Sequence, residues 1–249
     1  MSSEDPIVFD YNKLKIIPGW TNFFELSLLG IAVKLSPENS SIIEFGSFCG
    51  RNSAVMANNL NTDCKLHCVD IWSTEQKYPL DQLQFQSQDF DQKLLQQTFE
   101  QVAGSRTWEI VWRRFVPQIP TVKKYQMEGL KFTITDDTSI VFIDDLSLEE
   151  NLERYLNKVE GLNECLLILN LREKQEAAFN LLTTRFKDLT KTRNFYAPPH
   201  TNFFILSPTI GHWGKMFPFI VLRYCNRLVF FNNLSEKVKF YQDQLQEQN

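Results

Sequence analysis

One stretch constrains the fold of this 249-residue chain more than any other, namely residues 41–53, with the sequence SIIEFGSFCGRNS. Its opening apolar run is typical of a buried strand, and Gly46 and Gly50 bracket the tight turn that follows. Asn52 or Ser53 has the chemistry to cap the helix after the turn. A strand, a glycine turn and a helix N-terminus in this order predict a site for a nucleotide-type ligand.

Two carboxylates flank the turn at positions that strand packing does not require. Glu44 precedes the first glycine, at the expected carboxyl end of the strand, where it could accept a hydrogen bond from a cationic or hydroxylated ligand. The next predicted strand, 65–71, ends near Asp70, which lies 24 positions after Gly46. An acidic residue about 20 positions after a glycine turn is typical of contact with the ribose hydroxyls of a nucleotide.

Apolar runs alternate with amphipathic patterns from residue 41 to about 190, which predicts an α/β, doubly wound, mainly parallel sheet with helices on both faces. Further strands are predicted over 107–112, 139–145, 164–170, 202–207 and 219–224, and helices over 21–35, 122–130, 146–162 and 172–186. Ligands of such sheets bind outside the carboxyl ends of the strands. The predicted ends carry Glu44, Gly46, Asp70, Arg113, Asp144, Asp145 and Asn170.

The length suits one domain over 1–249, because no proline- or glycine-rich linker and no repeat divides the chain. Within it we expect an N-terminal helical lead-in over 1–40, a helical insertion over 74–103 that could lie over the ligand as a lid, and a C-terminal elaboration over 208–249.

The bulk composition points to a small-molecule substrate. A net charge of −4 argues against nucleic acid as the partner. Five cysteines without paired CxxC spacing fit a reducing cytoplasm, and no signal pattern or apolar run long enough for a membrane span is evident, so no membrane partner is predicted. The Phe-rich C-terminal part could wall an apolar substrate pocket or a homodimer interface.

The glycine spacing separates the nucleotide-binding classes. A dinucleotide-binding oxidoreductase would show G-x-G-x-x-G, whereas only Gly46 and Gly50 occur in this turn. A P-loop would carry Lys-Ser or Lys-Thr after the second glycine, where this chain has Arg51 and Asn52. A ligand with an adenosine and no pyrophosphate remains.

The segment IIEFGSFCGRNSAVMA at 42–57 resembles the first motif of class I S-adenosylmethionine-dependent methyltransferases, and particularly a small-molecule O-methyltransferase-like branch with an EIGSFxGRST-type motif. PGW at 18–20, LHCVDIW at 66–72 and VFIDDLSLEENLERYL at 141–156 resemble further parts of that branch. The likeness covers roughly 18–206 and implies a Rossmann-like sheet of seven strands with a late antiparallel strand.

The resemblance also implies a cofactor site for S-adenosylmethionine. Gly46 and Gly50 would let the backbone approach its methionine part, Glu44 would lie near its amino group, and Ser53 near its carboxylate. Asp70 would hold the ribose hydroxyls. The residues that complete the predicted site are Ser47 and Ile71.

The catalytic groups are less well marked. Relatives often show an IDG-x-H segment after the fourth strand and a His-Asp pair after the fifth, sometimes around a divalent metal, whereas this chain has DDLS at 144–147 and LNL at 169–171. Asp144 and Asn170 alone are too few ligands for a hard cation, so no metal ligands are predicted, although a metal stays open.

We take Asp144 and His200 as the catalytic candidates. His200, in the YAPPH loop, could equally be a surface or packing residue, as could His212. Two functions therefore remain: a methyltransferase acting on a small molecule, most naturally at oxygen, and a non-catalytic protein that keeps the cofactor-binding fold as a scaffold.

Overall fold

The computed structural model describes residues 11–14, 17–72, 108–144, 148–171, 184, 193–198 and 201–218. The strands in these ranges are β1 Ser41–Phe45, β2 Lys65–Asp70, β3 Val122–Gln126, β4 Thr138–Ile143, β5 Leu166–Asn170, β6 Arg193–Tyr196 and β7 Phe203–Pro208. The helices are α1 Tyr11–Leu14, α2 Phe23–Lys34, α3 Arg51–Asn59, α4 Trp108–Phe115, α5 Leu148–Val159 and α6 over 211–218, with a 3-10 turn at Gly129–Lys131.

The strands form one seven-stranded sheet in the order β3-β2-β1-β4-β5-β7-β6. The pairs among β1 to β5 are parallel, and β7 pairs antiparallel with both β5 and β6. The predicted sheet, with its late antiparallel strand, is confirmed. The strand order reverses at β1, which has β2 on one side and β4 on the other, and this reversal places the glycine turn at the centre of the carboxyl edge.

Both faces of the sheet are covered by helices. Ile42 and Phe142 pack in a cluster that includes residues of α2, α3, α4 and α6, whereas Ile43 and Val141 pack on the opposite face with residues of α5. Because successive side chains of a strand point to opposite faces, burial on both sides explains why β1, β4 and β5 are apolar almost throughout. None of the helices in the described part of the chain is long and apolar enough to cross a membrane.

The lead-in helix α2, predicted over 21–35, spans Phe23–Lys34 and begins at a capping box. Asn22 is the N-cap: its side chain accepts from the N–H of Glu25, and the Glu25 carboxylate accepts from the N–H of Asn22 at 2.7 Å. The other oxygen of Glu25 accepts from the N–H of Asn202, just before β7. This buried carboxylate therefore joins the start of α2 to the late antiparallel strand.

The strand predicted over 107–112 is wrong, because Trp108–Phe115 forms helix α4. The buried residues Val111, Trp112 and Phe115 recur at helical spacing, and Ile110, which a strand would use in packing, is 46% exposed. Arg113 consequently leaves the predicted carboxyl edge and forms an i,i+4 ion pair with Glu109 on the helix surface.

The helix predicted over 122–130 is also wrong, since Val122–Gln126 is strand β3. This strand lies at the edge of the sheet and only Val122 is buried, so its sequence, VKKYQ, lacks the apolar run of a central strand. Strand β6 was not predicted, and the predicted segments 74–103 and 219–224 lie outside the described residues, as does 172–186 apart from residue 184.

Candidate functional site

The turn after β1 requires an unusual backbone conformation at three positions. Gly46, Phe48 and Gly50 have φ angles of 86°, 42° and 86°, in the left-handed region that favours glycine. A Cβ on Gly50 would lie 2.5 Å from Val116 Cγ2 and 2.9 Å from Trp112 Cδ1. Gly50 is therefore needed for packing just beyond and within α4, which is a different reason from the close ligand approach that the sequence suggests.

Glu44 lies fully buried beneath this turn. The hydroxyl of Ser47 donates to its Oε2 at 2.8 Å, and the hydroxyl of Ser53 donates to the same oxygen. Its other oxygen, Oε1, has no hydrogen-bond partner, although the thiol of Cys68 on the neighbouring strand lies close enough to influence it. Burial raises the pKa of Glu44 to about 8, and the negative charge of Asp144 adds to the effect, against the lowering by the two serines.

The hydroxyl of Ser53 both donates and accepts a hydrogen bond within the protein. Besides donating to Glu44, its hydroxyl oxygen accepts from Trp112 Nε1 at 3.1 Å, so it connects the glycine turn to α4. The N-cap of α3 is Gly50, without a side-chain cap, so the predicted capping by Asn52 or Ser53 is wrong. A contact between Ser53 and the carboxylate of a cofactor stays a prediction, and it would require the hydroxyl to change partners.

Asp70 joins the end of β2 to the turn after β1. Its carboxylate accepts from the backbone N–H of Phe48 at 2.8 Å and from that of Trp72 at 2.9 Å. The indole of Trp72 in turn donates to the carbonyl of Phe48. Ile71, next in the chain, is 38% exposed although it is apolar. Asp70 and Ile71 therefore lie directly beside the glycine turn, as a shared ligand site requires.

Asp144, at the carboxyl end of β4, is held between two asparagines. Asn52 Nδ2 donates to one carboxylate oxygen at 2.9 Å, and Asn170 Nδ2 donates to the other at 2.8 Å. The amide oxygens of both asparagines are buried without a hydrogen-bond partner. The sequence predicts Asp144 and Asn170 at one edge of the sheet, but it did not indicate that Asn52 contacts Asp144. Its position in the first turn of the helix after β1, beside β4, is the signal that could have revealed it.

The polar groups at this edge do not fit a divalent metal in their present arrangement. Each oxygen of Asp144 already accepts a hydrogen bond from an amide N–H group, and Leu169 adds no side-chain oxygen, so a cation would find few ligands here. Within the described ranges no group of three His, Cys, Asp or Glu residues could hold a metal ion.

Arg51 is a second residue whose role the sequence did not indicate. Its guanidinium is buried and donates to the carbonyls of Ile17, Gly19 and Thr21, so it ties the lead-in to the start of α3. Burial lowers the pKa of Arg51 to about 9, and the group still carries its charge at neutral pH.

The histidines contribute nothing to this edge within the described residues. His212 lies 2.6 Å from the carbonyl oxygen of Leu35, which follows α2, and the neighbouring Trp213 donates to the carbonyl of Ser139 near the amino end of β4. His212 is thus remote from the site. His67, in β2, stacks on Tyr125, and burial lowers its pKa. His200 lies outside the described residues, so its catalytic role stays a prediction.

No protein-family model and no curated protein matches the sequence. Solved structures with a similar fold exist. The chain is similar to the O-methyltransferase NovP, with 11% identity, coverage of 76% of this chain and 81% of that one, and a TM-score of 0.51. A methyltransferase from Geobacter sulfurreducens has 15% identity, coverage of 85% and 91%, and a TM-score of 0.46. The likeness to NovP shows that the chain has the Rossmann-like methyltransferase fold, and it concerns the fold alone.

Proposed function

We propose that the chain is an S-adenosylmethionine-dependent methyltransferase that transfers a methyl group to a small molecule, most naturally to an oxygen atom. The observation that carries the proposal is the hydrogen bond from the N–H of Phe48 to Asp70, which joins the glycine turn and the end of β2 into one unit. This unit lies where the strand order reverses, the place at which ligands of open α/β sheets bind.

Each residue of the unit has a role in this proposal. Asp70 accepts hydrogen bonds from the ribose hydroxyls, Ile71 offers an apolar surface to the adenine, and the turn at Gly46 lets the backbone come close to the methionine part. When bound, the cofactor supplies a methyl group activated by a sulfonium. The protein aligns the acceptor with that methyl group, and Asp144 takes up the proton of the acceptor hydroxyl.

Isothermal titration with S-adenosylhomocysteine tests this proposal. We expect saturable binding by the wild-type protein and binding weakened about tenfold or more by Asp70→Asn, because a charged acceptor is lost. Asp137→Asn is the matched control, since Asp137 pairs with Ser41 at the opposite end of β1. Absence of binding by the folded wild-type protein would overturn the proposal.

A non-catalytic cofactor-binding protein is the second candidate, favoured by one observation. The carboxylate of Asp144 is held by the amides of Asn52 and Asn170, as expected of a group that organises the site and does not take up a proton. Incubation with methyl-labelled S-adenosylmethionine and a library of small hydroxylated acceptors separates the two candidates: labelled product excludes the scaffold, and binding without any transfer favours it.

A further inference from the structure

The lead-in segment 17–25 crosses the carboxyl edge of the sheet. At one end, the guanidinium of Arg51, which follows the glycine turn after β1, donates to backbone carbonyls of this segment. At the other end, the carboxylate of Glu25 accepts from the N–H of Asn202, directly before β7. The start of β7 pairs with the end of β5, and β4 and β5 lie between β1 and β7 in the sheet. The lead-in therefore passes the carboxyl ends of β4 and β5.

Buried oxygen atoms beside this path lack a hydrogen-bond partner within the described part of the chain. They are Thr21 Oγ1, in the lead-in, and the Oδ1 atoms of Asn52 and Asn170, whose amide nitrogens hold Asp144. Each of the three residues with an unpaired oxygen is more than nine-tenths buried. A buried polar atom without a partner is destabilising and rare in folded proteins, so this grouping indicates that a ligand completes the hydrogen bonds.

Contacts in the protein place Thr21 in the same neighbourhood as the two asparagines. The carbonyl of Thr21 accepts from Arg51 at 3.1 Å, and Arg51 directly precedes Asn52 in the chain. The charge of Asp144, which both asparagines contact, acts on the guanidinium of Arg51. The unpaired oxygen atoms therefore lie around the carboxyl end of β4, whereas the cofactor unit proposed above lies on the β2 side of the turn.

The chemistry of these atoms selects the ligand group. Because both asparagines donate to Asp144 through Nδ2, their Oδ1 atoms remain as acceptors, and the hydroxyl of Thr21 can accept or donate. An apolar ligand would leave these atoms unpaired, and the buried positive charge of Arg51 disfavours a cationic donor. Uncharged hydroxyl groups satisfy both conditions.

We propose that Thr21, Asn52 and Asn170 determine acceptor specificity by binding hydroxyl groups of the methyl acceptor other than the one that reacts, so that the acceptor is an uncharged, polyhydroxylated molecule. The inference rests on the proposed function and deepens it, since it names the class of acceptor. A site built to pair with hydroxyl groups rejects analogues that lack them. Because the unpaired atoms are shielded from solvent, the acceptor reaches them when the lead-in moves aside.

The experiment measures acceptor binding as a function of hydroxyl number. The full-length protein, saturated with S-adenosylhomocysteine, is titrated calorimetrically with rings that carry one, two or three neighbouring hydroxyl groups. One series is cyclohexanol, cyclohexane-1,2-diol and cyclohexane-1,2,3-triol, and the other is phenol, catechol and pyrogallol. In at least one series we expect the affinity to rise about tenfold with each added hydroxyl group, as when a buried acceptor atom gains its donor.

Thr21→Val tests the lead-in residue, because it keeps the branched shape and removes the unpaired hydroxyl. We expect it to bind the trihydroxylated ring about tenfold more weakly, with unchanged affinity for the monohydroxylated ring and for S-adenosylhomocysteine. Thr201→Val is the matched control, since the Thr201 hydroxyl donates to the carbonyl of Pro198 and accepts from the N–H of Phe203. This control should bind the trihydroxylated ring as the wild type does.

The same two variants separate a binding role from a structural one without any ligand. An unpaired hydroxyl does not stabilise the ligand-free protein, so Thr21→Val should melt at the wild-type temperature or higher. Thr201→Val loses hydrogen bonds and should melt about 2–4 °C lower. A fall of that size in Thr21→Val would show that its hydroxyl is structural, and would contradict the inference.

Two further results would overturn the inference and leave the proposed function standing. One is that, with S-adenosylhomocysteine bound, neither trihydroxylated ring binds more tightly than its monohydroxylated counterpart. The other is that Thr21→Val binds the trihydroxylated ring as tightly as the wild type. Failure of S-adenosylhomocysteine itself to bind would instead overturn the proposed function, and the inference with it.

Discussion

At the scale of single residues, Glu44 shows how burial changes the chemistry of a position. The sequence places an acid before the glycine turn, and an ionised carboxylate is the simplest expectation for it. The structure surrounds it with two serine hydroxyls and a neighbouring carboxylate, and burial holds its pKa near 8. Which groups surround a strand residue depends on packing between elements, so no local sequence pattern reports it.

Glu44→Gln should change how stability depends on pH. The folded-state pKa of about 8 lies above the ordinary 4.5, so the stability linked to Glu44 is fully present below about pH 4.5 and is lost as the pH rises to about 8. Between pH 6 and pH 9 the wild-type melting temperature should therefore fall more than that of Glu44→Gln, measured by circular dichroism. Asp137→Asn is the control. The pKa of Asp137 is lowered, so its carboxyl group does not titrate between pH 6 and pH 9. Equal falls in wild type and Glu44→Gln would contradict the assignment.

Asn52→Ala should destabilise the fold more than the same substitution at a neighbouring asparagine, Asn59. Asn52 donates to a buried carboxylate, and a hydrogen bond to a charged group contributes about 1.5–3 kcal/mol. Asn59, in the same helix and similarly buried, donates to the uncharged carbonyl of Val55, so Asn59→Ala should cost about 1 kcal/mol. Urea unfolding gives both values, and an equal or smaller loss for Asn52→Ala would contradict the role assigned to it.

At the scale of elements, α4 is the clearest departure from the sequence prediction. Its segment looks like a strand by composition, with tryptophan, isoleucine and valine, but its buried residues follow the helical period. The helix packs on the site: Trp112 donates to Ser53, and Val116 just beyond the helix fills the space left by Gly50. The glycine turn and α4 thus support one another.

Gly50→Ala tests that contact. The change forces a Cβ into the left-handed region and against Trp112 and Val116, so we expect a loss of about 2–4 kcal/mol in the free energy of unfolding. Gly161→Ala is the matched control, because nothing lies within 4 Å of its added Cβ. The packing role of Gly50 is wrong if chemical denaturation finds the two variants equally stable.

Arg51→Met should loosen the lead-in. Three backbone carbonyls of the segment 17–21 lose their donor, so cleavage of the chain before α2 by a low concentration of trypsin should become several times faster than in the wild type. Arg154→Met, which removes an exposed arginine of α5, is the control. Unchanged cleavage in Arg51→Met would show that other contacts hold the lead-in.

The elements that could be predicted are those whose signal is local. Strands β1, β4 and β5 are buried on both faces and read directly as apolar runs, whereas the edge strands β3 and β6 are mostly polar or partly exposed. In the site, the placement of Glu44 and Asp70 follows from strand ends. The hydrogen bonds from Asn52 and Asn170 to Asp144 could not be predicted in this way, because they depend on which strands become neighbours in the sheet.

At the scale of the whole molecule, the carboxyl edge of the sheet carries the candidate site and the amino edge makes structural contacts. The carboxyl edge gathers the glycine turn, Glu44, Asp70 and Asp144, while at the amino edge Trp213 and Ser139 make a structural contact. The reversal of strand order at β1 opens the sheet at the point where these polar groups meet. The single-domain division, the lid over 74–103 and a homodimer stay predictions.

Whether this edge of the sheet binds S-adenosylmethionine is shown by the structure of the complex with S-adenosylhomocysteine. We predict the adenosine beside Ile71 with its ribose hydroxyls on Asp70, and the α-ammonium group within hydrogen-bond distance of Glu44 Oε1. Crystals soaked at saturating ligand that show it bound elsewhere, or bound at this edge with the ribose away from Asp70, would contradict the account.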